Sequence, residues 1–469
     1  MKKIIAVCCA MCIVAIFIFQ QCSPAPGGYG GVNDSLPPVI APDSWFAADT
    51  TPAPNNYGDF LNPNVSDTSF HVWAWQKFLS LTRNGSGKAP FENFVQVDNF
   101  LNPIGDTILL ADSSQAGSHG VLYDTNTRAV LYTIHVNQQM FQFQNKYLPE
   151  FRKIFDEYNG NPKRDSLVQA ALVAAGYDTI NYPVGCVEVK TSWILASELS
   201  NPSDYYITTA KVVTAGGARI EQVAMLGMHI VGSVANHPEL IWATYEHDNL
   251  APDYPWVDSV AVQDTTNKIV SDRNYLFYQK NTPVNKCPMA NTAASPDSFS
   301  NVFNMFQLGI ARSFRSDSIP SLRDSTNNAN TVSLNNSVHA QLEKVSGPWK
   351  HYFYKGSTWL TVPNPTMHPG NGYIGGLNNN YLRGSRAISN VSMETFAQIE
   401  YANNYQTGSM NCFGCHGTVD YTNVIPKTND SLSYNLALSH LFKNALGVQV
   451  ADVTSADSCR NCDVEMKKR

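Results

Sequence analysis

The sequence predicts an α+β fold: a large mixed body around an antiparallel β meander, and a small α-helical module at the C-terminal end. Three observations lead there. Residues 184–247 hold short β-rich runs around Val187, Val189, Ile207 and Val212, broken by Asn-Pro at 201–202 and Gly-Gly at 216–217. Helical spacing of apolar residues governs the stretches near 70–79 and 137–158 instead. From about residue 385 the texture changes to two helical patterns flanking a pair of cysteines.

In chain order, Lys2 and Lys3 precede a 16-residue apolar run from Ile4 to Phe19. That is shorter than the ~20 residues of a spanning helix, so residues 1–21 read as a secretory signal. The junction Gln20-Gln21-Cys22, followed by Ser-Pro-Ala-Pro-Gly-Gly, resembles a bacterial lipoprotein signal, although Phe19-Gln20-Gln21 departs from its small-residue pattern. The resemblance implies a lipid anchor on Cys22 and a membrane-attached, extracytoplasmic protein of the periplasm or outer membrane. Residues 22–66, rich in Pro, Gly, Asn and Asp, form a tether and irregular lead-in.

The body spans 67–384. Phe70, Trp73, Phe78 and Leu79 share a helix face; a strand follows at 129–136 and a helix at 137–158, which Pro149 kinks or bounds. The runs Val223–Val234 and Leu240–Tyr245 complete a meander of about four strands. Residues 252–330 are turn-rich, and a helix near 334–345 and strands near 351–361 close the body. In the module at 385–469, one helix covers Ser392–Tyr405, with Asn390 or Ser392 as cap and Glu394 in the first turn. A second covers Ser431–Leu446, begins at Asp430 or Ser431, stops before Gly447 and is apolar over most of its circumference, which predicts burial.

With 43% hydrophobic and 15% charged residues over 469 positions, the chain has the composition of a folded protein, not a disordered one. A net charge of −6 leaves no basic stripe, so nucleic acid is not an expected partner.

The chemistry concentrates at Cys412-Phe413-Gly414-Cys415-His416. Two thiols separated by two residues match the two vinyl groups of a porphyrin, and the adjacent histidine supplies an iron ligand: this is the spacing of covalent haem c attachment. Roughly 0.005 such motifs would arise by chance at this chain's Cys and His frequencies, and an export signal agrees with attachment outside the cytoplasm. A redox CxxC would sit near a βαβ pattern, and a zinc site needs a second half; neither is present. Cys412 and Cys415 are therefore the expected thioether positions and His416 the proximal ligand of one haem.

The sixth ligand stays open between His440, Met466, a body histidine (His229, His237 or His247) and a vacant position. Lys443 and Asn444 beside His440 suggest a polar helix face there. Cys459-Arg460-Asn461-Cys462 repeats the CxxC spacing, but Asp463 stands where haem attachment needs His, which favours a terminal disulfide. Cys186 and Cys287 read either as a bridge or as buried thiols.

Several stretches resemble a family of exported bacterial proteins known only as cytochrome c family or cytochrome c domain proteins. They are Trp73–Phe78, Val187–Trp193, Gly227–Val231, Ile241–His247, and Met393-Glu394-Thr395 ahead of the CxxCH motif. The resemblance implies one covalent haem and an extracytoplasmic location, and brings no assigned reaction. In the body, Glu188, Lys190, His229, Glu246 and His247 interrupt strands that otherwise look buried, where charges need partners. They form either a polar pocket facing the haem or a cross-strand network. The tryptophans at 73, 75, 193, 242, 349 and 359 line that pocket or fill the core, and Arg383 and Arg386 are candidates for haem propionates.

The expected function is electron transfer through the haem, to a redox partner protein or a small-molecule redox substrate. The alternatives are a haem-dependent redox enzyme with a substrate pocket between body and module, and a lipid-anchored binding protein with a structural or sensory haem.

Overall fold

The computed structural model describes residues 41–46, 68–83, 87–105, 107–113, 121–214, 217–235, 237–252, 267, 269–287, 321–360, 382–384, 388, 390–395, 412, 416, 432 and 434–447. Among them run helices α1 (Thr68–Thr82), α2 (Gln138–Glu157), α3 (Arg164–Ala175), α4 (Ser321–Leu342) and α5 (His440–Ala445). The strands are β1 (Val95–Val97), β2 (Leu109–Leu110), β3 (Leu131–Val136), β4 (Val187–Leu195), β5 (Ile207–Thr214), β6 (Gly217–Val234), β7 (His237–His247), β8 (Tyr352–Leu360) and β9 (Leu382–Gly384). The fold is α+β. No helix among the described residues is long and apolar enough to cross a membrane.

The nine strands form one sheet in the order β1-β3-β4-β6-β7-β8-β9, each pair antiparallel. β5 pairs antiparallel with the first half of β6 and carries β2 in parallel on its other edge. The register shifts at three places, one of them at the Gly232–Val234 end of the β6–β7 pair, and the other two re-aim residues near the centre. Ser192 opposes Gly227 while Trp193 opposes Met225, so Leu226 is an extra residue on β6. Thr244 opposes Gly356 while Tyr245 opposes Tyr354, so Lys355 is an extra residue on β8. Bulges of this kind re-aim side chains, and Lys355 turns to Glu246 at 3.1 Å.

One face of the sheet carries an aromatic core. Phe70 of α1 stacks on Trp359 at 4.1 Å and Phe78 stacks on Tyr245 at 4.1 Å. Trp75 donates its indole N–H to Asn335 of α4 at 2.9 Å, and Asn335 donates to the Tyr354 carbonyl. Gly232 is needed here: a Cβ at this position would lie 2.6 Å from the Trp73 ring. Trp73, Trp75, Trp193 and Trp359 are thus core residues, and Trp349 packs at their edge.

The opposite face meets α2, α5 and the turn at 390–395. Along α2 the buried residues Met140, Gln144, Leu148, Phe151 and Phe155 follow helical spacing. Asn137 caps the helix, accepting the Met140 N–H at 3.0 Å, and donates to the Gly185 carbonyl. The helix runs through Pro149 rather than ending there. Phe151 meets Phe442 edge-on at 5.2 Å, so the described part of 434–445 shares an apolar cluster with α2 and the sheet.

The expected helix over Ser431–Leu446 is broken into a 3-10 turn at Asn435–Leu438 and the short α5. The cause is Ser439, extended at φ −92° and ψ 120°. Its hydroxyl donates to Glu188 at 3.0 Å and accepts from Gln144 at 3.0 Å, bonds that replace helix propagation. The meander is also larger than expected, because β1, β2 and β9 are only two or three residues long. Cys186 and Cys287 are both buried as free thiols, each pushed up to about 12 by burial. Cys22, Arg386, Cys415, Cys459, Cys462, Met466 and most of Ser392–Tyr405 lie outside the described residues.

Candidate functional site

Cys412 and His416 are joined by a hydrogen bond, the His416 N–H donating to the Cys412 carbonyl at 2.7 Å. Cys412 is half-buried against the apolar cluster of α2 and α5. The His416 ring is fixed on three sides. Its Nδ1 lies 3.0 Å from the Leu438 carbonyl, so it is the protonated nitrogen that donates there. The ring stacks on His440 at 3.8 Å and 16°, and tilts against Trp242 of β7 at 4.3 Å. These contacts leave the Nε2 edge as the lone-pair side, and no described residue hydrogen-bonds it. Burial is the main cause that pushes the imidazole down to about 3; the Lys443 and Lys190 charges add to it, against the Leu438 bond and Glu394.

The 3-10 turn at 435–438 exists in a form that can offer Leu438's carbonyl because Tyr182 donates to Leu436 O at 3.0 Å. The expectation of a polar helix face at His440 is not met. Lys443 is buried, and its charge lies close enough to affect His416. His440 lies flat on the face of the His416 ring and does not stand opposite its Nε2 edge.

The strand residues singled out above separate into two groups. Glu188, Lys190 and His229 lie on the His416 side of the sheet. Lys190 and His229 are directly opposed in the β4–β6 register, one row from Glu188 and Trp242. His229 Nε2 lies 2.7 and 2.9 Å from the two carboxylate oxygens of Glu394, which also accepts the Asn390 N–H at 2.9 Å. Burial alone would push Glu394 up, but His229, Lys190 and the Asn390 N–H outweigh it and hold the carboxyl below its ordinary value. Burial pushes Lys190 down, against the pull of Glu394, Asp112 and Glu188. The turn bearing Glu394 sits directly on Gly227, where a Cβ would approach the Asn390 and Ser392 side chains to 2.7 Å. The pairing of Glu394 with His229 is what sequence spacing missed. Glu394 reads there as a first-turn helix acid, and its partner is 165 residues away.

The other residues are held elsewhere. Glu246 pairs with Lys355 and accepts the Val391 N–H at 2.8 Å, a structural anchor for the 390–395 turn. His237 pairs with Glu239 at 2.7 Å and packs edge-on against Phe70, on the aromatic face. His247 stacks on Tyr205 at 3.7 Å, away from His416's contacts.

Glu188 is pushed up to about 7 by burial, although its Ser439 bond and Lys190 oppose the shift. The folded protein keeps this proton to about pH 7, and an unfolded chain releases it near 4.5. Ionisation therefore costs stability as pH rises through that window, about 3 kcal/mol at most. Glu188→Gln keeps an acceptor for Ser439 but removes a charge partner of Lys190. It is expected to stabilise the protein by ~2 kcal/mol at pH 8 and not at all near pH 4.5, in denaturant unfolding at each pH. An equal effect at both pH values would contradict the assignment.

Chemically, the face offers one neutral imidazole with a defined free edge, one adjacent thiol, and an imidazole–carboxylate pair able to hold a proton. Compared with family models, curated proteins and solved structures, the chain matches none.

Proposed function

We propose that the chain is an extracytoplasmic monohaem c-type cytochrome that transfers electrons, with residues 385–469 as its cytochrome c-like module. The observation that carries this reading is the Cys412–His416 motif combined with the state of His416: neutral, bonded through Nδ1 to a backbone carbonyl, and free at Nε2. An iron-ligating histidine needs that arrangement, since its other nitrogen must donate to a fixed acceptor. Cys412 and Cys415 would hold the haem covalently, and His416 Nε2 would ligate its iron. When bound, the haem supplies one-electron exchange at the iron.

The protein's own residues supply orientation and protonation state. Leu438 O selects the tautomer, Trp242 and His440 fix the ring plane, and the buried Lys443 charge disfavours a proton on His416. The export signal and Cys22 support attachment to a membrane by lipid, with a redox protein or small redox molecule as partner.

A second reading, a haem-dependent redox enzyme, draws support from the His229–Glu394 pair. That pair, flanked by Lys190, lies on the same sheet face as Trp242 and can donate or accept a proton near His416.

The test is expression with a haem c maturation system. Wild-type protein is expected to retain haem through acid–acetone extraction, and Cys412→Ala with Cys415→Ala to lose it. Haem retained by the double variant, or never acquired by the wild type, would sink the cytochrome reading. Within it, a low-spin spectrum unmoved by cyanide, peroxide or carbon monoxide would exclude the enzyme reading.

A further inference from the structure

We propose that His247, Asp248 and His351 bind a divalent transition-metal ion, with Zn2+ the best match, where strands β7 and β8 meet a neighbouring turn. This inference does not rest on the haem reading, and the three residues lie apart from the His416 cluster.

The backbone assembles the three ligands before any metal arrives. His247 ends β7 and opposes Tyr352, the first residue of β8, so His351 lies beside Asp248. The Asp248 N–H donates to the His351 carbonyl at 2.8 Å. One ligand atom from each side chain lies within 4.8 Å of the other two.

The hydrogen bonds define where the lone pairs point. His247 Nε2 lies 3.0 Å from the Asp204 carbonyl, an acceptor, so the ring proton sits on Nε2. Nδ1 then carries the lone pair, in agreement with the Asn249 N–H aimed at it from 3.1 Å. Yet the Asp248 carboxylate also faces Nδ1, at 3.3 Å. In the metal-free protein the Asn249 N–H takes the Nδ1 lone pair, so a cation must displace that bond, and it then finds the Asp248 carboxylate alongside. On the other side His351 Nδ1 lies 3.2 Å from the second Asp248 oxygen.

These spacings suit a small tetrahedral ion. Bonds of about 2.0–2.1 Å to Zn2+ set ligand atoms roughly 3.3 Å apart; the carboxylate spans the two rings, Oδ1 at 3.3 Å from His247 Nδ1 and Oδ2 at 3.2 Å from His351 Nδ1, and the three ligand atoms need to close in from within 4.8 Å. The rings are already oriented: His247 stacks on Tyr205 within 6°, and His351 lies within 20° of parallel to His247. Asp204 stands behind both, its carbonyl on His247 Nε2 and its carboxylate 3.8 Å from His351 Nε2. Imidazoles backed by such acceptors are characteristic of metal ligands. Two nitrogens and one carboxylate suit Zn2+ or its neighbours better than Ca2+ or Mg2+, which prefer all-oxygen shells. The Asp248 side chain is 54% exposed and that of His351 25%, so an ion enters from solvent and keeps a position open to it.

The experiment uses the full chain, stripped with a chelator and then titrated with ZnCl2 against a chromogenic zinc indicator. Bound zinc and iron are counted separately by elemental analysis. One zinc per chain is expected in the wild type. Asp248→Asn and His351→Ala are each expected to weaken it at least ~10-fold while leaving the circular dichroism unchanged. Zinc should raise the wild-type melting temperature and leave that of the variants unmoved. No zinc bound at micromolar concentrations would make the cluster a hydrogen-bonded surface group only. Equal binding by wild type and variants would move the zinc to another site. Either result overturns the proposal.

Discussion

Below pH 6.5 the protein without bound haem or zinc is expected to lose stability by roughly 3 kcal/mol for each pH unit until it unfolds. Three histidines carry the effect. Burial pushes His135, His247 and His416 each down to about 3, so the folded state holds them neutral where an unfolded chain would bind their protons near 6.5. Their contribution to stability is fully present above pH 6.5 and is lost as pH falls toward 3. Three protons correspond to about 4 kcal/mol per pH unit, and the opposite titration of Glu188 offsets roughly 1 of these near pH 5. Folded domains have only about 5–15 kcal/mol in hand, which at this slope is used up within roughly two to five pH units. Denaturant midpoints measured from pH 7.5 to 4.5 read this directly. A flat profile between pH 6.5 and 5 would show that these rings are solvated.

Lys355→Ala is expected to cost about 3–5 kcal/mol, the penalty of leaving a buried carboxylate without its cation. Both partners are almost wholly inaccessible, and the Glu246 oxygen that meets Lys355 also accepts the Val391 N–H. Glu246→Gln together with Lys355→Met removes both charges, and should recover most of the loss, because a matched apolar replacement avoids the desolvation penalty. A double-mutant cycle in urea gives the coupling directly. A single-variant cost under about 1 kcal/mol would mean that water reaches the pair. The same anchor holds Val391, three residues before Glu394, so loosening it should also disturb the His229–Glu394 contact.

What could be read from the sequence follows the range of the interactions. α1, α2 and strands β3 to β8 announce themselves through periodicity, because a long element repeats its burial pattern several times. β1, β2 and β9 are too short to do so, and α3 is weakly amphipathic. The CxxCH motif is local and therefore legible. The groups around it are not: Leu438 follows by 22 residues and Trp242 precedes by more than a hundred. Ser439 breaks a convincing helix pattern only because Glu188 and Gln144, far upstream, compete for its hydroxyl. Lys443 looks like a surface residue until the chain is folded around it. His351 gains its interest from Asp248 and Asp204, neither of which carries a signal alone.

β6 has a consequence for local motion. Its eighteen residues divide their allegiance: Gly217–Ala224 pairs with β5, Val223–Gly232 pairs with β4, and from Gly227 onward β7 lies on the other side. Residues 217–220 are exposed, and those from Val223 to Met228 are buried. Fraying can therefore begin at the Thr214–Gly217 end and proceed by breaking exposed cross-strand bonds one pair at a time, whereas the inner half opens only with the sheet. A single strand thus spans two levels of local stability. His229 lies on the durable side, so a proton shared between it and Glu394 stays in register while the outer ribbon breathes.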